Sequence, residues 1–141
     1  MSLDRQGAAV SGVDSASIVK RFDAPEQVLS LDNGRLDVIT VGGRSIGKGS
    51  YGPGWRWSRA AKAAARGVGG VGARPLDHVG VVLSGRAKVA LGEGEGAEID
   101  LTPGDFFQIA REHDFWVVGY RPCEILYLSG VEGLVSRLRQ L

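Results

Sequence analysis

The chain has 141 residues, 43% of them hydrophobic and 23% charged, with a formal net charge of +1; that is the balance of one ordinary globular domain. So small a charge excludes a field that would steer the protein toward nucleic acid or an anionic membrane, and no apolar run approaches the ~20 residues needed to span a bilayer. The single cysteine, Cys123, excludes an intrachain disulfide and, with no basic-then-apolar leader at the N-terminus, gives the expectation of a cytoplasmic protein.

Glycine is the unusual residue: 22 positions, about twice the usual share of roughly 7%. The glycines punctuate short apolar runs, a pattern that suits many short strands joined by tight turns. Residues 1–24 are polar, small and weakly periodic and read as an arm or tail, with 15–22 either a short strand or one helical turn. The domain proper is taken as 25–141. Val28 to Leu31 reads as a first strand, followed by a turn at Asp32-Asn33-Gly34. Arg35 to Val41 then alternates, Gly42-Gly43 turns the chain into Ser45 to Tyr51, and Pro53-Gly54 breaks it before Trp55-Arg56-Trp57-Ser58. Arg59 to Arg66 has high helix propensity over only about two turns, and Gly67 to Gly72 reads as a loop.

The second half is more regular. Leu76 to Leu83 reads as a strand, Ser84-Gly85 as a hairpin turn, and Arg86 to Leu91 as the returning strand. Gly92 to Gly96 reads as a solvated hairpin tip. Glu98 to Leu101 leads to a turn at Thr102-Pro103-Gly104-Asp105, where Asp105 can accept from nearby backbone amides. Phe106 to Ile109, Phe115 to Gly119 and Glu124 to Ser129 complete nine or ten strands, which predict a sandwich or barrel. Glu132 to Leu141 reads as a short helix with Leu134, Val135, Leu138 and Leu141 on one face.

Two of these turns carry a family resemblance. Val81-Val82-Leu83-Ser84-Gly85-Arg86, with Pro103-Gly104-Asp105 about twenty residues later, resembles the two motif regions of the cupin superfamily. Pro53 to Ser58, His78 to Arg86 and Glu112 to Gly119 are similar in particular to small single-domain bacterial cupins, many without an assigned activity. The resemblance covers about Pro53 to Ser129. It implies an all-β fold: a cupin double-stranded β-helix, or jelly-roll barrel, with a short C-terminal helix.

A typical cupin metal site has two histidines spaced H-x-H, a glutamate, and a histidine from the second motif, a set that suits iron, manganese, nickel or zinc. Mapped onto this chain, the glutamate position falls on His78, and the usual second-motif histidine falls on Phe115, two residues after His113. The candidate metal ligands are therefore His78 and His113, for a divalent Fe, Mn, Ni or Zn. Asp77 neighbours His78 but belongs on the opposite strand face unless a bulge turns it inward. Glu112 and Asp114 flank His113 as candidates to orient it. With His78 inward, Gly80 and Val82 share its face, and Gly80 leaves room beside the imidazole. Trp55 and Trp57, two apart on an extended segment, share a face. With Trp116 and Asp77 they form the candidate pocket wall, while Arg56 and Arg59 are candidates to fix a carboxylate. Cys123, in a strand-like run, reads as a buried core residue.

The expectation is a cupin that binds a small molecule in its interior, with a possible divalent metal and no catalytic residue assigned. The alternative is a metal-dependent enzyme of the dioxygenase or isomerase kind. A metal-free, epimerase-like site with a histidine base ranks last, because no His–Asp dyad maps onto it. A homodimer is expected, formed through sheet edges with the N-terminal arm covering a partner's edge.

Overall fold

The computed structural model describes residues 17–59, 78–91, 97–109 and 113–139, except the side chains of His113 and Arg137. These residues form nine strands: β1 (Gln27–Leu31), β2 (Gly34–Val41), β3 (Arg44–Tyr51), β4 (His78–Ser84), β5 (Arg86–Leu91), β6 (Glu98–Leu101), β7 (Phe106–Ile109), β8 (His113–Val118) and β9 (Cys123–Ser129). A helix, α1 (Val131–Leu138), follows them. One sheet has the order β1-β2-β3-β9-β4-β7 and the other β6-β5-β8. All pairings are antiparallel, so the all-β jelly roll with a short C-terminal helix is the observed architecture.

The two opening hairpins form where turn residues predict them. Leu31 pairs with Gly34, and Asn33 between them has φ 60°, a left-handed conformation that asparagine tolerates. Its side-chain amide also donates to the Pro53 carbonyl at 3.0 Å, which ties this turn to the end of β3. Gly42 and Gly43, with φ of 59° and 75°, supply the two positive dihedrals of a tight β2–β3 hairpin.

Ser84-Gly85 is not a hairpin turn, contrary to the expectation. β4 belongs to the six-stranded sheet and β5 to the three-stranded one, and they do not pair. Gly85, with φ 75°, is the corner where the chain crosses between sheets. A Cβ there would run into the Pro122 carbonyl oxygen and approach Cys123 Cα to 2.7 Å. The β6–β7 connection is a second corner. There Asp105 accepts from the Thr102 amide at 2.8 Å and hydroxyl at 3.1 Å, as expected. The Gly104 amide and Asp105 carbonyl pair with Val82 at 2.9 and 3.0 Å, which fastens this corner to β4. β8 to β9 makes a third crossing.

The inner faces of the two sheets meet in one core that includes Leu36, Val38, Val82, Val89, Ile125 and Cys123. Cys123 is fully buried. Burial, with the Glu124 charge adding to it, pushes its thiol up to about 11, which suits a packing residue rather than a nucleophile. α1 closes one side through Val131, Leu134 and Leu138, all buried. Leu134 and Leu138 lie on the apolar stripe expected from the sequence, with Val135 partly buried beside them; Val131 precedes the expected helix, and Leu141 lies outside the described residues. In the arm, residues 17–21 form neither strand nor helix. Just after it, the Phe22 ring centre lies 5.8 Å from the Lys48 ammonium. Positions 60–66 of the expected helix, the loop 67–72 and the tip 92–96 lie outside the described residues.

Candidate functional site: an apolar cavity between the sheets

Strand alternation decides which side chains reach the interior. On β3, Gly49 and Tyr51 share the inner face, and the Tyr51 ring folds back over Gly49. A Cβ at Gly49 would stand 2.5 Å from Tyr51 Oη and 2.7 Å from Cζ. That small residue lets the Tyr51 hydroxyl reach the Tyr127 hydroxyl on β9 at 2.8 Å. Burial pushes the Tyr51 phenol up to about 12, against the opposing effect of its bond with Tyr127. Burial likewise holds Tyr127 well above the ordinary tyrosine range, and its neighbour Tyr51 adds to the effect. Both hydroxyls are therefore neutral at any physiological pH.

The Trp55–Trp57 segment is fastened to β8. Trp55 carbonyl accepts from the Val117 amide at 3.0 Å, and Arg56 bridges to Trp116. Trp55 and Trp57, the latter at the start of a helical turn, are buried on the inner side, as expected, and Arg56 stays partly exposed. Arg56 stacks 4.4 Å from the Trp116 ring centre and donates to Asp114 at 2.8 Å. The Ser58 and Phe115 amides donate to Asp114 Oδ1, both at 2.9 Å. Burial disfavours the Asp114 carboxylate, but the hydrogen bonds from Ser58, Arg56 and Phe115 outweigh it and hold its pKa below the ordinary value. Asp114 thus clamps the tryptophan segment to β8; the role beside His113 expected from the sequence concerns a side chain outside the described residues. The carboxylate that Arg56 binds belongs to this same chain. Arg59 lines a surface hollow with Asp32, Asn33 and Pro53, away from the interior.

An internal cavity lies between these walls. The six-stranded sheet contributes Tyr51, His78, Phe107, Ile109, Ile125 and Tyr127, and the three-stranded sheet Val89, Leu101 and Phe115. Trp55 and Trp57, and Leu134 and Leu138 of α1, complete the lining. Tyr51, Trp55 and Phe115 form an aromatic cluster, with ring centres 4.4, 5.6 and 6.0 Å apart. The cavity is narrow: the space that admits the centre of a water molecule is about 30 Å³.

The expected site residues divide as follows. His78 is inward and buried, edge-on to the rings of Phe107 and Tyr127 at 5.9 and 5.5 Å. The space expected beside it at Gly80 is occupied: a Cβ there would stand 2.8 Å from Phe107 Cζ and 2.9 Å from the Leu126 carbonyl oxygen. Trp55 and Trp57 line the cavity, whereas Trp116 is not among its lining residues. Phe115, one position earlier on β8, stands there instead. Asp77 and the His113 side chain lie outside the described residues; the His113 backbone opens β8 opposite Leu91.

The described donors do not fit a divalent metal. Among the described residues no three His, Cys, Asp or Glu side chains converge, and the cavity wall offers one imidazole and two neutral phenols. Sequence reasoning missed Tyr51, Tyr127 and Phe107. Counting alternate positions along β9 from Cys123 and Ile125 would have found Tyr127.

No protein-family model matches the sequence, and no curated protein matches it either. Solved structures do resemble it. The Drosophila melanogaster CENP-C cupin domain matches with a TM-score of 0.53 at 15% identity over 90% of this chain and 81% of that one. The iron(II) enzyme HppE matches with a TM-score of 0.55 at 13% identity, over 84% of this chain and 63% of that one. CapF of Staphylococcus aureus, a capsular polysaccharide assembling protein, gives 0.56 at 13% identity, over 81% of this chain and 31% of that one. At such identities the likeness concerns architecture, and with the two sheets and their three corners it establishes that this chain has the cupin fold.

Proposed function

We propose that the chain binds a small, largely apolar molecule between its two sheets. The observation that carries this reading is the composition of the cavity wall: aliphatic and aromatic side chains from both sheets, with a few polar atoms among them. That is the usual make-up of a small-molecule site, where apolar burial supplies affinity and polar groups set orientation. The narrowness of the space bounds the ligand. A dry cavity of about 150 Å³ admits benzene, so a ligand of that size enters only as part of the wall yields. The parts contributed by α1 are the simplest to displace, because that helix is only eight residues long.

The test is amide and indole NMR of the isotopically labelled protein during titration with small apolar compounds. Shifts concentrated on β3, β9, Trp55, Trp57 and α1 are expected. An unchanged spectrum across compounds of about six to ten heavy atoms would reject the reading. The metal-dependent alternative rests on His113 and Asp77 as well as His78. Its direct test is elemental analysis of the purified protein and of the His78→Ala and His113→Ala variants after loading with iron, manganese, nickel or zinc.

A further inference from the structure

We propose that the molecule held in this cavity is uncharged and presents an oxygen acceptor to the indole N–H of Trp57. The inference rests on the cavity being a ligand site and specifies the chemistry of what it takes.

Trp57 is 4% exposed and lines the cavity. Its Nε1–H is buried and has no acceptor among the described residues. A buried donor left unmade costs about 1–3 kcal/mol, and such groups in folded proteins call for an explanation. The phenols in the same wall do not supply one: the Tyr51 and Tyr127 hydroxyls bond each other. An incoming carbonyl, ether or ester oxygen would complete the indole, which is a donor only and so needs an acceptor.

Charge argues for a neutral molecule. Among the described residues no Lys, Arg, Asp or Glu lines the cavity, and the nearby Arg56 and Asp114 are spent on each other on the far side of β8. Among the described lining residues His78 alone carries a titratable group of the ordinary charged kinds, and a carboxylate or ammonium that loses its hydration there incurs a penalty far larger than that for a carbonyl. The remaining wall is aliphatic or aromatic and suits an apolar body.

Three probes test this: cyclopentanone, methylcyclopentane with the same number of heavy atoms and no acceptor, and cyclopentanecarboxylate. The Trp57 indole resonance, assigned by its disappearance in Trp57→Phe, is expected to move downfield with cyclopentanone and not with methylcyclopentane. Trp57→Phe is expected to weaken cyclopentanone about fivefold to tenfold, the loss of one neutral hydrogen bond, and to leave methylcyclopentane within about twofold. Should Trp57→Phe fail to fold, assignment by Trp55→Phe and Trp116→Phe leaves the wild-type indole shift as the deciding measurement. Binding of both neutral probes with no downfield shift and no selective loss would overturn the acceptor assignment while leaving the cavity a ligand site. Tighter binding of the carboxylate would overturn the neutral class. Binding of none would overturn both this inference and the reading beneath it.

Discussion

Tyr51 Oη and Tyr127 Oη lie 2.8 Å apart on neighbouring strands, each the other's hydrogen-bond partner across 76 residues of sequence. Because both hydroxyls are buried, removing one strands the other. Tyr51→Phe and Tyr127→Phe are each expected to cost about 1–3 kcal/mol in urea unfolding. The double variant should cost less than the sum, with a coupling of about 0.5–3 kcal/mol. Strict additivity would show that the bond contributes nothing to the folded state.

Asp114 makes stability depend on acid. Its pKa in the folded protein lies below the ordinary 3.8, so its contribution is complete above that value and is lost as pH falls through the folded pKa. Asp114→Asn is expected to lower unfolding free energy by about 1–3 kcal/mol at neutral pH. The gap from wild type should narrow toward about pH 3. Chemical denaturation at the two pH values measures it, and a gap independent of pH would assign the loss to shape rather than charge.

Two glycines with similar backbone angles should respond differently to alanine. Gly54 has φ 83° with nothing near its would-be Cβ, whereas Gly85 has φ 75° and faces Pro122 and Cys123. Gly54→Ala is expected to cost about 1–2 kcal/mol for the left-handed conformation alone. Gly85→Ala adds a collision with backbone and is expected to cost at least about 3 kcal/mol. Thermal unfolding of the pair checks the order.

Leu134 and Leu138 bring α1 into the wall of the cavity. Leu138 is 4% exposed, so Leu138→Ala is expected to cost about 2–5 kcal/mol. The same change enlarges the space, so the variant should gain more thermal stabilisation from saturating cyclopentanone than wild type does. Equal stabilisation would mean that α1 does not limit entry.

Much of the strand layout is legible in the sequence because alternation and turn chemistry are local. Asn33, Gly42-Gly43 and Pro103-Gly104-Asp105 each force the chain to bend within a few residues, whatever lies elsewhere. What Ser84-Gly85 joins is not local: a hairpin and a crossing between sheets need the same positive φ, and only the distant Cys123 strand distinguishes them. The tryptophans show the same limit. Spacing alone places Trp55 and Trp57 together. Residue type groups Trp116 with them, although its register on β8 gives the inner position to Phe115. Gly80 reads as empty space because the sequence does not reveal that β7 brings Phe107 onto it. Leu134 and Leu138 are identifiable as one apolar face, but the surface they cover is set by tertiary packing.

β9 lies between β3 and β4 in the six-stranded sheet, yet it is the last of the described strands. During synthesis the β1–β3 meander emerges with the outer edge of β3 unpaired, and that edge waits for Cys123–Ser129 to arrive about seventy residues later. Such distant pairings slow folding and leave a strand edge open to other chains. The β1–β3 unit is thus most vulnerable to aggregation just before β9 leaves the ribosome, and a chaperone that shields β3 during that interval should raise the yield of folded protein more than one acting afterwards.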